Sequence, residues 1–169
     1  ASSNKGVVTS PHYLATEAGK EVLKAGGNAI EAALAVGSVL TVVYHHMNSM
    51  GGDAFFLISD ENGNLIGLDG AGPAGERYSA ETYISQGLTA IPERGPMVAN
   101  TVAGIVSLWN EAHKLSQTAW GGKFAWGRLL ESALNHAAQG ITLSEGQLQS
   151  LRDNWSSLSK SKTFLDTFL

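Results

Sequence analysis

The feature that most constrains the fold is an apolar segment, Ala29–Val43, which is hydrophobic on nearly every face when it is drawn as a helix. A helix that is apolar all round belongs in the interior of a protein. Asn28 precedes the segment and Glu31 follows three residues later, which is the asparagine version of a capping box. The sequence therefore predicts a buried helix that begins after the turn at Gly26-Gly27.

More helices than strands are predicted along the rest of the chain. One helix runs from Tyr13 to a C-cap at Gly26. Further helices are predicted at residues 79–86, 98–115 and 124–139, and another begins at Ser144. The strands are a short run at residues 6–9, a buried strand at residues 54–59 and a partner at residues 65–68, joined to it through an Asn-Gly turn. These strands are too few for a complete sheet, so an α/β or α+β fold is expected to take further strands from another chain.

Composition supports a covered surface and excludes several functions. Charged residues make up 15% of the chain, against about 25% in typical soluble domains, which indicates that part of the surface is covered by a partner. A net charge of -4 without a basic stripe argues against nucleic-acid binding. The absence of cysteine excludes disulfides, thiolate metal sites and a cysteine nucleophile in this chain.

Length and hydropathy set the expected organisation. The 169 residues suit a single domain, residues 1–169. No apolar run reaches the ~18 residues of a membrane span, so no membrane partner is predicted. The first ten residues lack the apolar core of a signal peptide, which favours a cytoplasmic location and leaves a periplasmic or secreted one open. The apolar end of the sequence, up to Leu169, is expected to continue in a longer chain.

Metal, phosphate and nucleophile patterns are weak. His45, His46 and Asp53 have no known ligand spacing, so no metal and no cofactor are predicted. Gly26-Gly27-Asn28 is more typical of a helix-to-helix turn than of an anion site. No Gly-x-Ser-x-Gly elbow occurs, and no catalytic nucleophile is identifiable in this chain.

The stretch HMNSMGGDAFFLI, residues 46–58, places two glycines and an aspartate directly before an apolar strand. A glycine pair costs backbone entropy on folding, so it marks a place where a ligand or another backbone comes close. The alternative is a tight turn that only stabilises the start of the strand. We favour close approach for Gly51 and Gly52.

Several motifs resemble those of the γ-glutamyltranspeptidase family of N-terminal-nucleophile hydrolases. LKAGGNAIEAA, residues 23–33, is similar to the family's "LKxGGNAxDAA". Stretches that resemble the family follow in its order over nearly the whole chain: residues 46–55, the Leu68-Asp69 pair, Thr101-Val102-Ala103-Gly104, and residues 126–140.

The resemblance implies an α+β fold, the αββα sandwich of N-terminal-nucleophile hydrolases, completed by a β chain that is not present here. Family members cleave themselves before a threonine, which becomes the N-terminus of the β chain and the nucleophile. This chain would then be the N-terminal part of the large (α) subunit, with no catalytic residue of its own. The implied partners are the β chain from the same precursor and a small-molecule amide, and a dimer of αβ units is left open.

Departures from the family pattern bear on the substrate. The family's transpeptidases place an arginine shortly after the Leu-Asp pair, where it holds a carboxylate by two contacts. Ala71 stands near that place. Arg77 lies close by in sequence, and the alternatives for it are to substitute for that arginine or, as we expect, to be solvated. Losing such a contact weakens glutamyl binding by about 2–5 kcal/mol. This pattern resembles the acylase and amidohydrolase branch, which includes cephalosporin-acylase-like and oxamate-hydrolysing proteins.

The sequence thus predicts the α-chain part of a self-processing amidohydrolase acting on an oxamate-like amide. A γ-glutamyltransferase or glutathione hydrolase is the alternative, and an inactive binding subunit of the same fold is another. Asp53 is expected either to hydrogen-bond the loop of the catalytic centre or only to stabilise the turn. The candidate substrate-binding residues are Gly51, Gly52, Asp53, Ala71, Gly72 and Arg77.

Overall fold

The computed structural model describes residue 3, residues 5–93 and residues 95–168. The chain divides into two compact units: the residues before Met50 with those after Gly122 form the first, and Met50–Gly122 form the second. Leu169, at the end that was expected to continue, lies outside the described residues. The single-domain organisation stays a prediction.

The first unit is helical. Its helices are α1 (Tyr13–Lys24), α2 (Ala29–Val43), α5 (Trp126–Gln139), α6 (Glu145–Leu158) and α7 (Lys162–Phe168). Helix α2 packs against α1 and α5, and it contributes fully buried residues such as Leu34, Val39 and Val43. The prediction of a buried central helix is confirmed, as are the predicted helices that become α1, α5 and α6.

The turn between α1 and α2 is held by glycine geometry and by one buried carboxylate. Gly26 has a φ of 86°, a conformation that favours glycine at a helix C-terminus. Asn28 and Glu31 form the predicted capping box. Glu31 is fully buried, and its Oε1 accepts hydrogen bonds from the N–H groups of Lys123 (2.6 Å) and Phe124 (2.7 Å). The carboxylate therefore joins the start of α2 to the segment that leads into α5.

The second unit contains the sheet. Strands β1 (Phe55–Ser59) and β2 (Leu65–Asp69) pair antiparallel, with Phe55 opposite Asp69. The predicted Asn-Gly turn joins them, and Gly63 there has a φ of 82°. The unit also holds α3 (Ala80–Ser85), a short 3-10 helix (Pro96–Val98) and α4 (Ile105–Ala119), and α4 packs on the hairpin.

Three local predictions are wrong. Residues 6–9 pair with no described strand. The strand predicted to be buried exposes Phe55 and Leu57. The helix predicted from residue 98 begins at Ile105, because the residues before it are held extended: Ala74 pairs with Thr101 in an isolated bridge.

None of the described helices has the length and apolar character that a membrane crossing needs.

Candidate functional site

Three backbone segments meet within the second unit: residues 51–53, residues 70–73 and residues 101–104. We call the place where they meet the crossing. The chain turns at residues 50–52, and the Gly52 carbonyl accepts hydrogen bonds from the N–H groups of Gly104 and Ile105, each at 3.1 Å. Gly104 caps α4 without any side-chain hydrogen bond. The Gly52 carbonyl therefore satisfies two backbone N–H groups at the start of α4 and ties this helix end to residues 51–53.

Two carboxylates hold the segment that follows β2. Asp53 Oδ1 accepts a hydrogen bond from the Gly72 N–H at 3.0 Å, and Asp69 Oδ1 accepts one from the Ala71 N–H at 2.8 Å. Both aspartates are exposed. Of the alternatives left open for Asp53, the structure thus shows a hydrogen bond to a distant segment, 19 residues further along the chain.

Glycine is required at two positions in this crossing. A Cβ built on Gly72 would overlap the Val102 carbonyl oxygen, and a Cβ built on Gly104 would overlap the Gly70 carbonyl oxygen. Only glycine permits backbones to approach so closely. Gly72 was among the predicted site residues and Gly104 was not, although the motif Thr101-Val102-Ala103-Gly104 was recognised.

Arg77 stands apart from these contacts. Its side chain is exposed, two residues before the Ser79 N-cap of α3, and its backbone carbonyl accepts a hydrogen bond from Thr82 Oγ1 at 2.9 Å. The structure therefore brings together Gly52, Asp53, Ala71 and Gly72 from the predicted set, with Gly51 in the adjoining turn. Whether these residues bind substrate stays a prediction.

The histidines considered as metal ligands lie in the first unit, after α2. His45 Nδ1 is 3.1 Å from the Val42 carbonyl, and the His45 ring stacks on Phe168 with centroids 5.3 Å apart. His46 Nδ1 is buried without a hydrogen-bond partner. Burial, aided by the neighbouring His45, lowers the pKa of His46. Among the described residues, no three histidine or carboxylate side chains cluster in a way that would hold a metal ion.

This arrangement suits one wall of a site rather than a complete one. The crossing presents two carboxylates and a glycine-rich backbone edge. Its main-chain N–H groups at residues 71 and 72 are already bonded to those carboxylates, so they are not available to stabilise an oxyanion. An acyl-transfer reaction at this wall would therefore need its nucleophile and its oxyanion donors from elsewhere.

Comparison with known proteins identifies the family. Residues 15–169 match the sequence profile described as Gamma-glutamyltranspeptidase. The chain is 38% identical to the oxamate amidohydrolase proenzyme of Klebsiella pneumoniae over 99% of its own length and 31% of that protein's. It is 36% identical to the glutathione hydrolase-like YwrD proenzyme of Bacillus subtilis, over 97% of its own length and 30% of that protein's.

The structure agrees with these sequence matches. It superposes on the crystal structure of Helicobacter pylori gamma-glutamyltranspeptidase with a TM-score of 0.86 and 26% identity, and the match covers all of this chain and 48% of that one. This confirms the predicted fold class. The chain spans about a third of the length of the two relatives above. On the profile, the identities and the fold together, the chain belongs to the gamma-glutamyltranspeptidase family.

Proposed function

We propose that this chain is part of the large subunit of a self-processing amidohydrolase whose nucleophile is the N-terminal threonine of a second, β chain. The observation that carries the proposal is the 38% identity to the Klebsiella oxamate amidohydrolase proenzyme along 99% of this chain. The name "proenzyme" supports maturation from a longer precursor. The remaining two thirds of that relative's length leaves room for the β chain.

The exposed face of the hairpin supports a partner chain. Residues 55, 57 and 65 lie on one face of the two-stranded sheet, because residues two apart share a face and Ser59 pairs with Leu65. Phe55, Leu57 and Leu65 are 69%, 79% and 68% exposed. Full burial of such a side chain contributes about 1.5–3 kcal/mol. We infer that the β chain from the same precursor covers this face.

In the proposed reaction, the threonine hydroxyl oxygen of the β chain adds to the substrate's amide carbonyl. The threonine's α-amino group takes the hydroxyl proton and delivers it to the departing amine, which leaves an ester on the enzyme. Water then cleaves the ester and releases the acid. This chain contributes the wall formed by Gly51, Gly52, Asp53, Ala71 and Gly72, which limits where the substrate can lie.

An oxamate-like amide is our preferred substrate. Oxamate and γ-glutamyl compounds both carry a carboxylate, which needs a cation to hold it. Ala71 supplies none, and Arg77 is exposed and bonded only through its backbone in the described contacts. A cation for either substrate would therefore come from elsewhere, and our preference rests on the similarity to known proteins. The Klebsiella relative acts on oxamate by its name, while the Bacillus relative supports a glutathione hydrolase as the second candidate.

The test is expression of the complete precursor, followed by intact mass spectrometry and N-terminal sequencing of its products. We expect two polypeptides, the smaller one beginning with threonine, and no cleavage when that threonine is changed to alanine. The mature protein is then assayed with oxamate and with γ-glutamyl anilide. A higher kcat/KM for oxamate supports our preference, and a higher value for the anilide supports the alternative. A folded protein that neither cleaves itself nor hydrolyses any amide would be an inactive binding subunit.

A further inference from the structure

The pairing of β1 with β2 continues beyond the two strands. The Gly70 N–H donates to the Ala54 carbonyl at 3.0 Å, which keeps the register that pairs Phe55 with Asp69. Hydrogen-bonded pairs alternate along an antiparallel ladder, so the next one after Ala54 and Gly70 is Gly52 and Gly72. A regular ladder would therefore have the Gly72 N–H donate to the Gly52 carbonyl.

The hydrogen-bond pattern of the ladder changes at Gly52 and Gly72. The Gly52 carbonyl accepts instead from the N–H groups of Gly104 and Ile105. A carbonyl oxygen has two lone pairs, and both are engaged by these donors. The Gly72 N–H, left without its ladder acceptor, donates to Asp53 Oδ1 at 3.0 Å. The aspartate side chain thus takes the place of the backbone acceptor one residue before it.

The crossing has little freedom to relax if this hydrogen bond is lost. The Val102 carbonyl occupies the space of a Gly72 side chain, and the Val102 N–H is bonded to the Pro73 carbonyl at 2.9 Å. Gly72 is half-buried. Without an acceptor, residues 70–73 would have to turn this N–H towards water.

We propose that Asp53 is a positioning residue for the reaction. By substituting for the Gly52 carbonyl it fixes Ala71 and Gly72 on the substrate wall, and it frees the Gly52 carbonyl to anchor the start of α4. The inference rests on the proposed function, because it takes residues 71 and 72 as part of the substrate site. The role belongs to the acceptor oxygen at this position and not to the negative charge.

The experiment compares variants of the complete, mature protein. Asp53→Ala removes the acceptor, whereas Asp53→Asn keeps an oxygen in its place without the charge. Glu61→Gln removes a carboxylate from the exposed hairpin turn and serves as the control. Two quantities are measured: hydrogen exchange of the peptide that contains residues 70–73, and kcat and KM for oxamate, with γ-glutamyl anilide in parallel.

We expect Asp53→Ala to accelerate exchange in that peptide and to lower kcat/KM by roughly 10-fold or more, the effect of losing a hydrogen bond that positions a site. Asp53→Asn should restore at least half of the lost protection and most of the lost kcat/KM, and Glu61→Gln should match the wild type. Wild-type exchange and kinetics in Asp53→Ala would overturn the proposal.

Two further outcomes keep the test decisive. If Asp53→Ala does not mature, Asp53→Asn decides alone: protection of residues 70–73 closer to that of the wild type than to an unprotected chain supports the proposal, and exchange at the unprotected rate overturns it. If the wild type neither matures nor hydrolyses an amide, the proposed function fails. The exchange measurement on the folded precursor still shows whether Asp53 holds Gly72.

Discussion

The two Gly-Gly-Asx tripeptides of this chain are close in sequence pattern and differ in what they do. In Gly26-Gly27-Asn28, the polar side chain serves its own helix, because Asn28 Oδ1 accepts from the Glu31 N–H three residues later. In Gly51-Gly52-Asp53, the polar side chain reaches a segment 19 residues away. The first tripeptide adjoins a fully buried carboxylate, while Asp53 is exposed.

The comparison teaches that a glycine pair before a polar residue does not by itself indicate a binding site. The first tripeptide closes a turn whose polar groups are satisfied by neighbours in its own unit, so its role is structural. The second holds backbone segments together and leaves carboxylates on an open surface, which is the arrangement expected of a site wall. The following changes test this division, in order of expected effect.

Glu31→Ala should have the largest effect on the first tripeptide. It would remove the acceptor of the Lys123 and Phe124 N–H groups and of the Asn28 N–H, in a fully buried place. We expect a loss of about 3–5 kcal/mol in the free energy of unfolding, measured by denaturant titration. Glu131→Ala, at an exposed glutamate paired with Arg128 on α5, is the control and should cost less than about 1 kcal/mol. Equal losses in the two variants would refute the assigned role.

Gly72→Ala should break the second tripeptide's crossing. The new methyl group would overlap the Val102 carbonyl, so residues 70–73 must move. We expect amide hydrolysis by the mature protein to fall by about 100-fold, the scale of a misplaced site segment. Gly127→Ala in α5, where nothing lies within 4 Å of the added carbon, is the control. Comparable activity in both variants would show that this segment does not line the site.

Gly27→Ala should destabilise the turn between α1 and α2 without a specific effect on the site. The added carbon would lie 2.7 Å from Val22 Cγ1 and 2.8 Å from Phe124 Cε2, which are packed side chains. A loss of about 1–3 kcal/mol is expected from such overpacking, measured by thermal unfolding. The control is Gly127→Ala, which lies in α5 with open space around it and should be neutral or stabilising. If kcat fell with no loss of stability, the division between the tripeptides would fail.

The smallest effect concerns pH. Burial lowers the pKa of His12, the N-cap of α1, with a contribution from His136, and it also lowers that of His46. The unfolded chain, with histidine pKa values of about 6.5, then binds protons first as the pH falls. The contribution of the two neutral histidines to the free energy of unfolding is complete above pH ~6.5. It is lost as the pH drops through their lower, folded-state pKa values.

The measurement is the melting temperature between pH 7.5 and pH 5. We expect a decline on acidification that becomes shallower in His46→Gln and in His12→Asn, which retains an N-cap. His113→Gln, at a half-buried position on α4, is the control. An unchanged slope in both test variants would contradict the assigned cause.

Local chemistry made much of the fold predictable. The capping boxes at Asn28 and Ser144 and the N-cap at Ser79 depend on residues three apart, and all three form. The hairpin follows from its Asn-Gly turn. Each of these signals lies within a few residues of the structure that it specifies, so a single sequence suffices to find it.

The start of α4 and the crossing needed contacts that the sequence does not reveal. Residues 98–104 have helical periodicity, yet the 3-10 helix ends at Val98, and the pairing of Thr101 and Val102 with Ala74 and Pro73 keeps α4 from starting before Ile105. The need for glycine at position 104 comes from the Gly70 carbonyl, which is distant in sequence. The apolar strand was correctly located, but its exposure could not be foreseen, because burial depends on tertiary contacts that a local sequence pattern does not contain.

The hydrogen bonds of Glu31 also have a consequence for the order of synthesis. Its Oε1 accepts hydrogen bonds from the N–H groups of Lys123 and Phe124, which lie 92 and 93 positions after Glu31 in the sequence. Helix α5, which packs on α2, follows directly after these two residues. The first two helices therefore leave the ribosome with an apolar stripe that cannot be covered until the whole second unit has been translated. During that interval the nascent chain carries an uncovered helix face, and a slow stretch of translation there would lengthen its exposure to chaperones and to aggregation.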